Sequence, residues 1–224
     1  MASAPAKLLI RDTMADLLSQ LGDIPPHRVL LRPTPGTATE QDVIDIQDRQ
    51  KRLCELVDGV LVEKTMGVEE SIYPLWLGYY LITYLQTHDL GQALGADGFI
   101  RLFPGRVRIP DVCFISWARF PKAGLGPIAD VAPDLVVEIL SKGNTKKEMD
   151  QKLRDYFAAG VQLVWYVDPR KRTARVYTSV DRSTLLREND HLDGGDVLPG
   201  FRLSIREWLD KAGRRGPGAV GKSA

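Results

Sequence analysis

A glutamate inside the apolar run LVVEIL is the first residue that calls for a chemical explanation. A carboxylate in dry surroundings is costly unless it is paired, protonated or bound to a metal, and Glu138 reads as the middle of a buried strand. Upstream, Asp111 follows Pro110 and precedes the apolar run VCFIS, so it stands at the start of a strand. If those two strands are neighbours, the carboxylates converge, and with a backbone carbonyl and waters they suit an octahedral Mg2+. Downstream, Lys152 and Tyr156 lie four apart in KKEMDQKLRDYF, on one helix face, with Met149 and Leu153 on an adjacent face suited to packing on a sheet. A lysine at the border of that stripe leans over the end of the Glu138 strand, where it can hold a phosphate oxygen or orient an attacking water. Each residue also has a plainer reading. Asp111 reads as a turn residue, Glu138 as a buried ion-pair partner, Lys152 as a solvated side chain and Tyr156 as core packing. Their order along the chain is what points to chemistry.

The elements that must position them follow from periodicity and turn signals. MADLLSQLG and TATEQDVIDIQDRQKR read as helices, the second with Thr39 as N-cap and Asp42 three residues on. Between them runs the proline-rich connection IPPHRVLLRPTPGTATE. LCELVDGVLVEK reads as a hairpin turning at Asp58-Gly59. EESIYPLWLGYYLITYLQTHDLG reads as a long helix ending before Gly91, with Pro74 in its first turn. QALGA, GFIRLF, VRIPDVCFIS and DLVVEIL are strand candidates. After them come the helix NTKKEMDQKLRDYFAAG, the strands VQLVWYVD and TARVYTS, and a closing strand and helix in LPGFRLSIREWLDKA. This order predicts an α/β or α+β fold, a mixed sheet with helices against it. The expected division is a helical extension over residues 1–50, a main domain over 51–212 and a disordered tail over 213–224.

Composition narrows the partners. The chain has 224 residues, 44% hydrophobic and 26% charged, with a formal net charge of +1. No global basic field announces a nucleic acid, so any such partner needs a local patch. Cys54 and Cys113 lie far apart without CxxC spacing, and His27, His88 and His191 are isolated, which points away from a zinc site and from a disulfide framework. The start lacks the pattern of a secretory signal, and SIYPLWLGYYLITYL is shorter than the roughly 20 residues of a membrane span. A cytoplasmic soluble protein is the expectation. GPGAVGKS near the C-terminus fits the phosphate-loop pattern, but no helix can follow it before Ala224, so no nucleotide cofactor is expected.

CELVDGVLVEK, VRIPDVCFIS, PDLVVEILSKGNT, KLRDYFAAGVQLVWYVDP and LPGFRL together resemble the Uma-type restriction endonuclease family of the PD-(D/E)XK nuclease superfamily. The resemblance covers about residues 53 to 205. It implies a restriction-endonuclease-like core, with Asp111 and Glu138 as acidic metal ligands and the Ile139 carbonyl as a further ligand. The superfamily lysine belongs two residues after the second acid, where this chain has Leu140. The resemblance implies that Lys152, in K-x-x-x-Y spacing with Tyr156, takes that role. Tyr156 then orients Lys152 or meets a backbone phosphate. The start of the first long helix, GVEES, offers Glu69 or Glu70 as a further site acid. Glu55 is a weaker candidate, since it also reads as an exposed strand position.

The expected activity is Mg2+- or Mn2+-dependent hydrolysis of DNA phosphodiester bonds, with Arg106, Arg108, Lys142, Lys146 and Lys147 as candidates for the flanking phosphates. A homodimer is expected if both strands are cut. Leu140 favours the alternative, a nuclease-fold DNA-binding or regulatory module without turnover. A hydrolase of small phosphoesters is the third reading.

Overall fold

A computed structural model describes residues 13–65 and 67–213, apart from the side chains of residues 68–70. Helices α1 (Met14–Gln20) and α2 (Glu40–Gln50) both begin in capping boxes. At α2 the Asp42 carboxylate accepts from the Thr39 amide at 2.7 Å, and the Thr39 hydroxyl accepts from the Asp42 amide in return. Strands β1 (Cys54–Val57) and β2 (Val60–Glu63) form the expected hairpin. Asp58 and Gly59 both have positive φ, 49° and 75°, as a two-residue mirror-type turn requires. A side chain at Gly59 would also meet the Gly36 carbonyl at 2.5 Å.

Helix α3 (Val68–Leu85) follows, then β3 (Gly91–Leu94), β4 (Ile100–Phe103), β5 (Arg106–Arg108), β6 (Val112–Ser116) and β7 (Leu135–Ile139). Next come helix α4 (Lys146–Ala158), β8 (Leu163–Asp168), β9 (Thr173–Tyr177), β10 (Ser183–Arg187), β11 (His191–Asp193), β12 (Arg202–Ser204) and α5 (Ile205–Ala212). The strands make a four-stranded sheet in the order β2-β1-β5-β4 and a six-stranded sheet in the order β10-β9-β8-β7-β6-β3; β11 and β12 pair alone. In the six-stranded sheet only β7 and β8 run parallel, and α4 is the crossover such a pair needs. The fold is therefore the expected mixed α and β architecture, with its strands divided between two sheets rather than gathered in one.

Alternation along β7 decides where the site lies. Leu135, Val137 and Ile139 join Trp165 and Val167 of β8 in a core closed by Leu77 and Leu81 of α3 and Trp208 of α5. Val136 faces the other way, onto Met149, Leu153 and Tyr156 of α4. Glu138 is two positions on from Val136, so it points toward α4 as well. Burying each of these large side chains contributes about 1.5–3 kcal/mol, which holds α4 against the sheet.

Two sequence expectations need correction, and two strands carry no sequence signal. VRIPDVCFIS is two strands in different sheets, because Pro110 has no amide proton to give a ladder and the chain changes sheet there. Pro74 lies inside α3, past the first turn, where packing of the apolar face carries the helix. β10 and β11, which lack an apolar run, went unread. The tail from residue 214, with GPGAVGKS, lies outside the described residues.

The N-terminal segment packs on the body. The buried Arg28 guanidinium donates to both Glu148 oxygens, at 2.8 and 3.1 Å, and to the Glu63 carbonyl at 2.9 Å. Gly22, at φ 87°, abuts the start of α4 so closely that a side chain would reach the Glu148 amide at 2.5 Å. The Gln151 side chain donates to the Gln20 carbonyl at 2.9 Å.

Candidate metal and phosphate centre

Val112 pairs directly with Val137, so the register carries Asp111 across from Glu138. The backbone pins Asp111 there. Its amide donates to the Val137 carbonyl at 3.1 Å, and its Oδ2 accepts from the Ile139 amide at 2.7 Å. Its Oδ1 lies 2.9 Å from the Lys64 ammonium.

Lys152 reaches up from the middle of α4 and is only 3% exposed. Its Nζ lies 3.2 Å from Glu138 Oε1 and 2.8 Å from Glu55 Oε1. Tyr156, one turn on and fully buried, donates its hydroxyl to the same Glu138 Oε1 at 2.5 Å. Glu55, on β1, also accepts from Arg108 Nη1 at 2.8 Å and from the Ile109 amide at 3.2 Å. Arg108 spans from Glu55 to Asp155 of α4, 2.5 Å away. The hairpin sheet and the six-stranded sheet thus meet α4 through one chain of buried charges.

Burial pushes the Glu138 carboxyl above the usual carboxylate range; Lys152 opposes this, and the negative charges of Asp111 and Glu55 reinforce it. Burial would raise Glu55 too, but Lys152 and Arg108 outweigh it and hold Glu55 well below that range. Burial disfavours the Lys152 ammonium, yet Glu138 and Glu55 keep it firmly protonated. Burial and the nearby Glu138 raise the Tyr156 phenol far above its ordinary value, so it stays a donor.

The predicted trio of Asp111, Glu138 and Lys152 is therefore brought together. The Ile139 amide donates to Asp111 Oδ2, which sets the backbone of that residue beside Asp111. Glu55 is not an exposed strand residue; at 1% exposure it is the hub of the cluster. Tyr156 reaches Glu138 rather than solvent, so it is not placed to meet a phosphate. Arg108 is consumed inside, Arg106 pairs with Asp58 and Asp155, Lys147 with Asp23 and Lys146 with Asp150. Of the five basic residues expected to contact phosphates, Lys142 alone has no ion pair within the described residues. The Glu69 and Glu70 side chains lie outside the described residues. Lys64 went unread. Its signal is weak, because besides Asp111 its ammonium donates to two backbone carbonyls, Ile109 at 2.9 Å and Ala96 at 3.1 Å.

Two clefts flank the cluster. One, of about 1080 Å³, runs along α3 past Trp76 and Tyr79 and reaches Asp111 and Val112. The other, of about 600 Å³, is lined by His27, Lys51, Arg52 and Lys64. Among the described residues no three His, Cys, Asp or Glu side chains form a metal-holding group. The available donors are two carboxylates and a carbonyl, all hard oxygens, which suit Mg2+ or Mn2+ with waters completing the shell. Glu138 Oε2 has no protein partner among the described residues, so it is open to such an ion.

A mixed sheet crossed by one helix, with paired acids at the strand ends and a lysine above them, defines a restriction-endonuclease-like fold. The match to a family model places the chain: residues 40–206 fit the Uma2 family, described as "putative restriction endonuclease", and the protein belongs to that family. Among solved structures the chain is similar to a putative nuclease belonging to DUF820 from Anabaena variabilis ATCC 29413. The TM-score is 0.63 at 20% identity, over 71% of this chain and 92% of that one. No curated protein matches the chain. No helix among the described residues is long and apolar enough to cross a membrane.

Proposed function

We propose that the protein is a divalent-metal-dependent endonuclease that hydrolyses DNA phosphodiester bonds, with Asp111, Glu138 and the Ile139 carbonyl holding Mg2+ or Mn2+. The observation that carries this reading is the position of Asp111 across from Glu138, with Lys152 and Tyr156 both engaged on Glu138 Oε1. Those two donors fix the carboxylate and leave its other oxygen for the ion. Such an ion supplies an acidified water for in-line attack and neutralises charge on the phosphate. Asp111, held by the Ile139 amide, sets the second ligand. Lys152 orients Glu138 and supplies positive charge beside it. The clefts beside Asp111 and Lys64 give a strand two approaches. On this reading residues 1–50 extend a domain spanning 51–212, and cutting both strands calls for a homodimer.

One observation favours a binding module without turnover: the Lys152 ammonium is enclosed between Glu55 and Glu138. Plasmid incubated with the protein and Mg2+ or Mn2+, beside an Asp111→Ala control, separates the two. Cleavage that EDTA and Asp111→Ala both abolish supports the enzyme. DNA retention without nicking would overturn it in favour of the module, and cleavage of a chromogenic phosphodiester alone would point to a small-molecule hydrolase.

A further inference from the structure

Lys64 stands where a cation is needed. Its side chain is only 7% exposed, and its three ammonium protons are all spent, on Asp111 Oδ1, the Ile109 carbonyl and the Ala96 carbonyl. One carboxylate and two carbonyls, all oxygen, make the kind of cage that holds a hard cation. We propose that Lys64 is a built-in competitor for the metal: its ammonium neutralises Asp111 in the ion-free protein, and a divalent ion gains that carboxylate only when Lys64 lets go. The proposal rests on the reading of Asp111 as a metal ligand.

Charge bookkeeping leads to the same place. The largely buried cluster holds four carboxylates, Asp111, Glu138, Glu55 and Asp155, and four cations among them, Lys64, Lys152, Arg108 and Arg106, the last also reaching the more exposed Asp58. It is balanced without any ion. A divalent cation entering that cluster adds two uncompensated charges in a place where charge is expensive, unless an ammonium leaves or an anion arrives. Lys152 contacts two carboxylates, Glu55 and Glu138, and Arg108 also contacts two, the shared Glu55 and Asp155, whereas Lys64 touches one carboxylate and neutral carbonyls. It also lines the solvent cleft with His27 and Arg52, so it has somewhere to go. Lys64 is therefore the cation that yields, and it is a positioning residue rather than a catalytic one.

Calorimetric titration of the full chain with Mn2+, without DNA, tests this. Lys64→Met removes the ammonium and keeps the bulk; Lys64→Gln keeps donors for the carbonyls, should Lys64→Met fold poorly by circular dichroism. Both variants should bind Mn2+ at least tenfold more tightly than the parent, and Lys64→Arg should not. Adding Asp111→Asn to either should erase the gain. If the parent binds Mn2+ through Asp111 and the Lys64 variants bind no tighter, the competition is wrong and the metal centre stands. If tight binding survives Asp111→Asn, or no form binds Mn2+, the metal centre itself is misplaced and the competition falls with it.

Discussion

Lys152 Nζ lies closer to Glu55, at 2.8 Å, than to Glu138, at 3.2 Å. The amine that the helix spacing aims at Glu138 is thus shared with an acid from the other sheet. Glu55 in turn holds Arg108, so its single carboxylate balances two buried cations. Removing one member of a buried charge pair costs about 3–5 kcal/mol, because the partner is left uncompensated. Glu55→Ala should therefore lower the unfolding free energy by an amount in that range, read as a fall in the urea midpoint at unchanged slope. Glu55→Ala combined with Lys152→Met should recover part of the loss, and strict additivity in that double mutant would show that the two residues are not coupled.

Tyr156→Phe isolates the phenol. A hydrogen bond to a charged group contributes about 1.5–3 kcal/mol, and the change leaves the ring packing in place. The variant should fold and lose stability of that order. Glu138 should also hold its proton to higher pH, since a donor to its ionised form is gone. Mn2+ titrations across pH read this directly, with half-maximal binding moved to higher pH in Tyr156→Phe. An unmoved profile would mean that the hydroxyl does not set Glu138.

Legibility tracked the kind of partner each residue has. Glu138 and Asp111 announced themselves as acids bordering apolar runs, and Lys152 by its helical spacing to Tyr156. Glu55 carries the same signal in LCELV, but the turn at Asp58-Gly59 three residues on made it resemble a surface hairpin position. Packing of that hairpin against the second sheet and α4 is a long-range fact with no local pattern. Lys64 was hidden for a related reason, since two of its three partners are backbone carbonyls that any sequence could supply. The break at Pro110 is visible as a proline, and Asp111 after it reads as the start of a strand, although VRIPDVCFIS as a whole reads as one strand candidate. β10 lacks a buried face, so no period-two pattern marks it.

The two central acids should give the protein opposed pH dependences. Glu138 keeps its proton to higher pH in the folded chain than its ordinary value of 4.5 allows. Above that value the folded state binds more protons than the unfolded one, so this residue's contribution falls as pH rises toward its raised pKa. Glu55 is the reverse. Its folded pKa is depressed, so its stabilisation is complete above 4.5 and is lost as pH falls below it. Urea unfolding from about pH 3 to about pH 8 should show stability declining on both sides of the ordinary carboxylate range. Glu138→Gln should flatten the upper side and leave the acid side, and a profile unaltered by that change would contradict the assignment.

The contact of Arg28 with Glu148 gives the last test, because it decides whether the N-terminal segment is an appendage or part of the fold. Both side chains are buried, 5% and 4% exposed, and the pair fixes the first turn of α4, the helix that carries Lys152. The same segment covers Val57, Val60 and Val62 of the hairpin with Leu17, Leu21 and Ile24. Arg28→Ala strands a buried carboxylate, at about 3–5 kcal/mol. It should also loosen the start of α4, so amide exchange over residues 146–152 should speed up along with the fall in stability. Arg28→Met with Glu148→Met should restore much of the stability, since an apolar pair of similar volume avoids the stranded charge. A chain starting at residue 51 would lose the pair and uncover the hairpin valines together. It should be aggregation-prone and melt well below the full chain; a truncated chain that melts at the parent temperature would show that the first 50 residues only decorate an independent domain.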